Sequence, residues 1–404
     1  MNIKRTKKAE PRIDVRYLSA LGIKTYGDNN LYPQDLRDII MSSPTGRTCV
    51  TRRATYIEGN GLTSQALADT RCNFSGDTFD DVHSVLANDC GYFDGIAIHV
   101  NYNIAGEIVS MSHIPFENCR LEEEDDNGVI SHVVVHPDWR GKRTRNGRAV
   151  KVTLATIEVF PIFNPDPEVV QAQIIRAGGI EFYKGQILYV SMAGRNRYPT
   201  PQCDSVLTDM STDEGLCNVN NRNVRNNFLA GGILWVKRGQ SAPDSDDDAE
   251  QAVRKEQIAN GVHDEDFSDQ IDQLQGDTNA CKIAVVEGEV DEDKPEFISF
   301  APRNFDKEFT STTGSIIPNI YAAFNQEMFY RLRSGSVGFS GELANDVKKE
   351  YCEQVTKQQR MLSRAYRDIL SHWTPDDALP YHSPLDIKIE PLIKSIDDDN
   401  KSDK

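Results

Sequence analysis

A chain of 404 residues is long enough for two or three domains with a real core, yet its hydrophobic content of 38% and mean hydropathy of −0.52 leave long polar faces. A net charge of −17 argues against a protein that grips nucleic acid by its phosphates over its whole surface, because such proteins are basic. No run approaches the roughly 18 apolar residues of a membrane-spanning helix, and the eight scattered cysteines include no CxxC pair, so they read as free thiols.

The opening stretch, Met1 to Lys8, is basic with no apolar run after it, and reads as a basic tip instead of a signal peptide. Tyr26-Gly-Asp-Asn-Asn-Leu-Tyr-Pro33 is turn chemistry, and Pro33 suits the first turn of a helix running to about Met41. Pro44 starts a second helix through Val50, Ala54 and Ile57, ended by Gly59-Asn-Gly61. Arg47, Arg52 and Arg53 on that helix read as a solvated face, with contact to an acidic neighbouring copy as the alternative. Phe74 to Asn88 reads as a further helix with Phe79, Val82 and Leu86 inward. A β-rich region follows. Strands are expected at Ile96–Val100, Ile108–Ile114, Val129–His136, Val152–Phe160 and Gln186–Val190, with hairpin turns at Ala105-Gly106 and Asn127-Gly128.

Two features here invite chemistry. His132, Val134, His136 and Asp138 would share one strand face, but the two histidines stand about 13 Å apart at about 3.3 Å per residue, too far to share an ion unless another element closes over them. Arg140-Gly-Lys-Arg-Thr-Arg-Asn-Gly-Arg148 is a basic turn, either solvated or in contact with nucleic acid or an acidic partner.

Tyr198-Pro-Thr-Pro201 reads as a stiff linker into a polar helix from Asp204 to Asn227, whose apolar residues Val206, Met210, Cys217, Val224 and Phe228 form one narrow stripe. Such a helix lines solvent or packs beside copies of itself. Residues 228–304 read as a small α/β module. It has strands at Gly231–Val236, Lys282–Glu287 and Phe297–Phe300, a helix at Ala249–Ala259, and acidic turns at Asp244–Asp248 and Glu287–Asp293. A returning helix carries Phe305, Phe309, Ile316, Ile320, Phe324 and Met328, and Pro318 is expected to kink or break it. The loop Arg331-Leu-Arg-Ser-Gly-Ser-Val-Gly-Phe-Ser-Gly341 has glycines that let it change shape. A long helix then starts at Asn345 or Asp346 and presents Val347, Tyr351, Val355, Leu362, Tyr366, Ile369 and Trp373 on one side before Pro375 stops it. The tail, Asp397 to Lys404, reads as polar and disordered.

No GxxxxGK[ST], GxSxG, HExxH or DxDxDG pattern occurs. Acids come in solvated runs, Glu122–Asp126 and Asp246–Asp248, with no apolar frame to raise a carboxyl pKa. A non-enzyme without cofactor or metal is therefore expected.

The order of parts resembles the portal proteins of tailed bacteriophages, of the HK97-like type. The residues that carry the resemblance are Tyr26 to Pro33 with Ser43, Ile57-Glu-Gly-Asn-Gly-Leu62, and Asn226-Asn-Phe-Leu-Ala-Gly-Gly-Ile233, within roughly residues 20 to 375. It implies an α+β portal fold with an α/β wing, a two-helix stem, a small α/β clip, a glycine-rich tunnel loop and a long C-terminal helix. The parts are 1–203 (basic tip and wing), 204–227 (first stem helix), 228–304 (clip), 305–330 (second stem helix), 331–346 (tunnel loop) and 347–404 (wing or short crown helix and tail). The implied function is a ring of twelve copies at one capsid vertex, assembled in the host cytoplasm and carried in the virion, through which DNA is packaged and ejected. The implied partners are other copies of the chain, duplex DNA, the terminase large subunit, the major capsid protein and a neck or adaptor protein, with no membrane. Arg331, Arg333, Ser334, Gly335, Ser336, Gly338 and Gly341 would face DNA, although the two arginines could equally pair with acids of neighbouring copies. Asp244, Asp246, Asp247, Asp248, Glu287, Asp291, Glu292 and Asp293 would meet basic surface on terminase or adaptor. Pro318 and the short segment after Pro375 depart from the family pattern. Competing readings are a metal-dependent nuclease using His132, His136, Asp138 and the basic turn, and another ring-forming head–tail component.

Overall fold

The computed structural model describes residues 15–125, 129–142, 144–145, 148–149, 151–225, 232–237, 283–288, 296–299, 305–336, 341–374 and 387–393. They form an α+β chain in two compact units, residues 1–210 with 318–404 and residues 211–317.

The first unit begins with the hairpin β1 (Tyr17–Leu18) and β2 (Ile23–Lys24), then helices α1 (Tyr32–Ser42) and α2 (Pro44–Glu58). Ser43 separates the helices. It is extended, ends α1, and caps α2 by accepting from the Gly46 amide at 2.9 Å. After α3 (Gln65–Ala68), α4 (Phe79–Phe93) starts at a reciprocal Thr78–Asp81 capping box, five residues later than Phe74, which lies exposed. Phe79, Val82 and Leu86 are buried, as expected.

Strands β3 (Gly95–Tyr102) and β4 (Ile108–His113) make the expected hairpin, with Gly106 donating to the Asn103 carbonyl at 3.0 Å. Next come β5 (Cys119–Leu121), β6 (His132–Val135), β7 (Thr144–Arg145), β8 (Arg148–Ala149) and β9 (Glu158–Pro161). Helix α5 (Pro167–Ala177) precedes β10 (Gln186–Ser191) and β11 (Gly194–Arg195). The sheet order is β11-β10-β3-β4, all antiparallel, and β5-β6-β9 forms a second antiparallel sheet. The strand expected at Val152–Phe160 is shorter, because the Thr156 hydroxyl takes the Thr153 amide at 2.9 Å and turns the chain there. The Asn127-Gly128 turn lies outside the described residues.

Helix α6 (Leu207–Arg225) crosses from the first unit into the second, and α7 (Phe305–Ala323) crosses back. Between them the second unit holds β12 (Gly232–Lys237), β13 (Ile283–Gly288) and β14 (Glu296–Ser299). Their order is β13-β12-β14, with β12 parallel to β13 and antiparallel to β14. The helix expected at Ala249–Ala259 lies outside the described residues. Pro318 does not end α7, which runs through it. The carbonyl that Pro318 crowds belongs to Gly314, the residue type whose backbone adjusts most easily.

The chain continues as α8 (Glu327–Ser334), α9 (Gly341–Gln354) and α10 (Thr356–Leu370). The single long helix expected from residue 345 is thus two, starting earlier and joined at Val355. Two β-branched residues sit at the join, and the Thr356 hydroxyl bonds the Cys352 carbonyl at 3.1 Å, a local competition that bends helices. One core cluster runs through α4 (Leu86, Ala87), β3 (Ile96, Ile98, Val100), β10 (Leu188) and α10 (Leu362, Tyr366, Ile369). Each fully buried aliphatic side chain there is worth about 1.5–3 kcal/mol.

Among the described residues two arginines are fully buried, which corrects the expectation that Arg53 faces solvent. Arg53 pairs with Asp94 at 2.5 Å and donates to the Gly91 carbonyl at 3.2 Å, both at the end of α4. Arg120, on β5, has no carboxylate partner among the described residues.

Candidate functional site

The glycine-bearing segment after α7 is the stretch the sequence singles out, and the structure supplies its base. Asn325 adopts a left-handed conformation (φ 55°), while its amide bonds Ala322 at 2.9 Å and the Gln326 amide bonds Tyr321 at 2.8 Å. This is a Schellman end to α7. Gln326 is fully buried and uses its whole amide. Its nitrogen donates to the Cys49 carbonyl (2.8 Å) and the Tyr351 hydroxyl (2.7 Å), and its oxygen accepts from Arg52 (3.0 Å). The Arg52 guanidinium also lies 4.7 Å over the Phe329 ring. Burial pushes the Tyr351 phenol up to about 12, so it stays neutral at working pH. Arg52 is therefore a fastening between α2 and α8, not a solvated residue; Arg47 is exposed.

On this base α8 carries Arg331, Arg333 and Ser334. The sequence suggests a loop from residue 331, but these residues are helical. Glu327 and Arg331 pair at 2.5 Å one turn apart, a spacing that supports the helix. Gly335 ends it with φ 71°, a conformation that residues with a Cβ rarely adopt. Ser336 donates to the Arg331 carbonyl at 3.3 Å, and Ser334 and Ser336 share a 2.7 Å hydroxyl contact. Arg333 donates to the Tyr321 hydroxyl at 3.2 Å. Gly341 starts α9, whereas Gly338 lies outside the described residues. The segment is thus a short helix with a glycine cap and an exposed cationic end.

The linker Tyr198–Pro201 is pinned along its length. Tyr198 stacks on Tyr26 at 4.2 Å between ring centroids, its hydroxyl donates to the Lys24 carbonyl at 2.8 Å, and it accepts from the Leu121 amide at 2.7 Å. Tyr26 donates to the Pro199 carbonyl at 2.6 Å, and Tyr32 to Asp204 at 2.8 Å. The motif from Tyr26 to Pro33 thereby seats the entry to α6. In α6, Met210 and Asp213 are buried and Cys217 is exposed.

The same motif encloses Arg120. All five guanidinium N–H groups are used, on Asn30 Oδ1 (2.6 Å) and its carbonyl (2.6 Å), Gln34 Oε1 (3.1 Å), and the Glu117 (2.8 Å) and Cys119 (2.7 Å) carbonyls. Trp139 faces the guanidinium at 4.8 Å. Desolvation draws its pKa below the ordinary arginine value.

His132 and His136 do not converge. His132 pairs with Glu122 at 2.7 Å, while buried His136 accepts from the Asp138 amide at 3.0 Å and packs against Trp139. Among the described residues no cluster of three His, Cys, Asp or Glu side chains has metal-holding geometry. In the basic turn, Arg140 bridges Asp35 (2.9 Å) and Asp38 (2.6 Å) of α1. Asp244, Asp246, Asp247, Asp248, Asp291, Glu292 and Asp293 lie outside the described residues, and Glu287 is placed by its backbone in β13. No described helix is long and apolar enough to cross a membrane.

No family model and no curated protein matches the chain in sequence. Among solved structures it is similar to a chain of the virion of a native gene transfer agent particle, at 12% identity over 92% of this chain and 86% of that one, with a TM-score of 0.48. A chain from the neck of a native gene transfer agent particle has 12% identity, coverages of 92% and 88%, and a TM-score of 0.46. An HK97-family phage portal protein from Corynebacterium diphtheriae has 12% identity, coverages of 82% and 90%, and a TM-score of 0.35.

Proposed function

We propose that the chain is a portal-type subunit. Copies of it close into a ring of twelve at one capsid vertex, around a channel through which duplex DNA is packaged and later ejected. The observation that carries this reading is the insertion of residues 211–317 between two helices, α6 and α7, each of which crosses the boundary between the units. That path matches the stem-and-clip order implied by the sequence motifs. In this reading residues 204–227 and 305–330 are the stem. Residues 228–304 are the clip, which meets the terminase and then a neck or adaptor protein, and the outer part of the ring contacts the major capsid protein. The chain performs no bond chemistry.

The segment from Arg331 to Gly341 is the DNA-facing element of the channel. An exposed ion pair such as Glu327–Arg331, with both side chains about half exposed, contributes only about 0.2–1 kcal/mol. Arg331 gives it up readily when a phosphate approaches. The −17 charge of each copy disfavours adhesion of DNA over most of its surface. The acids of the clip, Asp244 to Asp248 and Glu287 to Asp293, make docking weaker at high salt.

Native mass measurement and negative-stain imaging test the reading. Particles with a central hole and a mass near twelve times 45.3 kDa are expected. Compact dimers at every concentration, together with metal-dependent DNA cleavage, would overturn it in favour of a nucleic-acid enzyme.

A further inference from the structure

Helix α10 carries the most concentrated cationic face among the described residues. Lys357, Arg360, Arg364 and Arg367 recur at intervals of three, four and three, which puts them in one row along the helix. The first three are exposed and the fourth half-exposed. At about 1.5 Å per residue the row is about 15 Å long, with steps of about 4.5 to 6 Å.

The opposite face cannot rotate outward. Met361, Leu362, Ala365, Tyr366 and Ile369 are buried in the main core. Lys357, Arg360 and Arg364 have no hydrogen-bond or ion-pair partner among the described residues, and Arg367 donates only to the Ser363 carbonyl of its own helix, at 3.2 Å. Among the described residues, nearby acids do not neutralise the row. Asp368 pairs with Arg195, and exposed Glu353, one turn before Lys357, makes no ion pair with it. In a chain with 62 acids and 45 lysines and arginines, a row of four cations with no ion-pair partner among the described residues is a local reversal of sign.

The chemistry of the face selects its partner. It carries no exposed apolar side chain, and the half-buried residues around the row are Thr356, Gln358 and Asp368. A stable protein interface usually has a buried centre more apolar than its rim. A phosphate backbone needs only charge and hydrogen-bond donors, and three of the four cations are arginines, whose planar fork binds phosphate oxygens bidentately. We propose that the outer face of α10 is a sequence-blind binding surface for the phosphate backbone of duplex DNA, separate from the Arg331–Arg333 end of α8. The choice of DNA as the anion rests on the portal reading, while the row itself does not.

The test uses the full chain and a fluorescent random-sequence duplex of about 30 base pairs, with binding read by anisotropy. Four phosphate contacts predict a slope of log affinity against log salt of about −3.6, or about 150-fold weaker binding at about 200 mM than at about 50 mM salt. The variant Lys357→Gln/Arg360→Gln/Arg364→Gln, whose changes are all exposed, should keep the wild-type melting temperature. It should bind at least about tenfold more weakly at low salt, with the slope reduced by about 2.7. Arg331→Gln/Arg333→Gln should leave this binding in place. Failure of the wild type to bind the duplex at low salt, or the same affinity and slope in the triple variant, overturns the proposal. So does selective binding of polyglutamate over DNA, which would assign the face to an acidic protein. Native mass measured in parallel separates the two readings. A ring that ignores DNA at α10 sinks this inference alone, and a DNA-binding monomer sinks the ring alone.

Discussion

Arg52 and Gln326 meet at 3.0 Å, guanidinium to amide oxygen, although 274 positions of sequence separate them. The contact ties the second helix of the chain to the joint where α7 becomes α8. Gln326→Ala would remove one donor each from the Cys49 carbonyl and the Tyr351 hydroxyl and leave a void, at a cost of about 2–4 kcal/mol. Gln326→Glu keeps an acceptor for Arg52 but removes the donor, so it should fall between the wild type and the alanine variant. Denaturant unfolding gives the order. Hydrogen exchange should show protection lost first over residues 327–334, while residues 79–93 hold; uniform loss would mean that the joint is not a local fastening.

Arg120 is a buried cation held wholly by neutral acceptors and aromatic rings. Arg120→Met fills part of the volume but removes five donated hydrogen bonds, and of the acceptors Asn30 Oδ1 and the Glu117 carbonyl keep the Tyr26 amide and the Gln34 amide as donors, so a loss of about 3–5 kcal/mol is expected. Arg120→Lys should recover little, because an ammonium offers three donors where the cage requires a planar fork. The check is chemical denaturation of both variants. A lysine variant of wild-type stability would show that charge, and not donor geometry, is what the cage needs.

His83 sets a lower pH limit on stability. It is fully buried on α4, its Nε2 donating to the Glu58 carbonyl (2.9 Å) and its Nδ1 accepting from the Tyr366 hydroxyl (2.9 Å). Burial pushes its pKa below the ordinary value of 6.5. The unfolded chain therefore takes up a proton at a pH where the folded chain does not. This contribution is complete above about 6.5 and is lost as pH falls from there toward the depressed folded value. Melting temperature followed from pH 8 to about 5 should decline below about 6.5. His83→Gln should start lower and decline less steeply, whereas a parallel decline would assign the effect to other groups.

Gly59 ends α2 with φ 67°, and a Cβ added there would stand 2.1 Å from the Glu390 carbonyl oxygen. Residues 387–393 lie against this corner, bonded through Asn60 to Glu390 (2.8 Å), Thr63 to Lys388 (2.9 Å) and Glu390 to Gly61 (2.9 Å). Gly59→Ala should displace this strap and expose it to protease. Gly76→Ala, at φ 94° with nothing within 4 Å, carries backbone strain alone, about 1–3 kcal/mol, and should leave the strap protected.

Local signals were legible where the chain obeys its own neighbours. Pro33, Pro44 and Gly59 bracket α1 and α2, and the period of Phe79, Val82 and Leu86 places α4. Helix α5 escaped a reading tuned to strand alternation, although its signals are complete: Asp166 caps it, Pro167 opens it, and Gly178 closes it in the left-handed conformation. Gln326, Arg53 and Arg120 could not be read as they are used. Each takes its role from partners brought together by the fold, and a buried, fully bonded polar side chain looks in sequence like a solvated one. Arg331 and Arg333 were picked out by their glycine neighbours; the Glu327–Arg331 spacing and Gly335 are signals of a helix end there, but nothing in the sequence shows that this helix is held on Gln326.

The main core is built from two stretches of chain separated by a contiguous insert, residues 211–317. During synthesis the first 210 residues must wait for α10 and the strap before the core around Leu86, Ile98 and Leu188 is complete. At roughly 5–20 residues per second, the insert alone delays closure by about 5–20 s. The half-built body spends that interval without the α10 part of the core that covers β3, β10 and α4 in the finished chain, while the insert already has all of its own sequence. Order of birth thus separates the two units: the sequence of one is complete long before that of the other, whose last described residues, 387–393, leave the ribosome near the end.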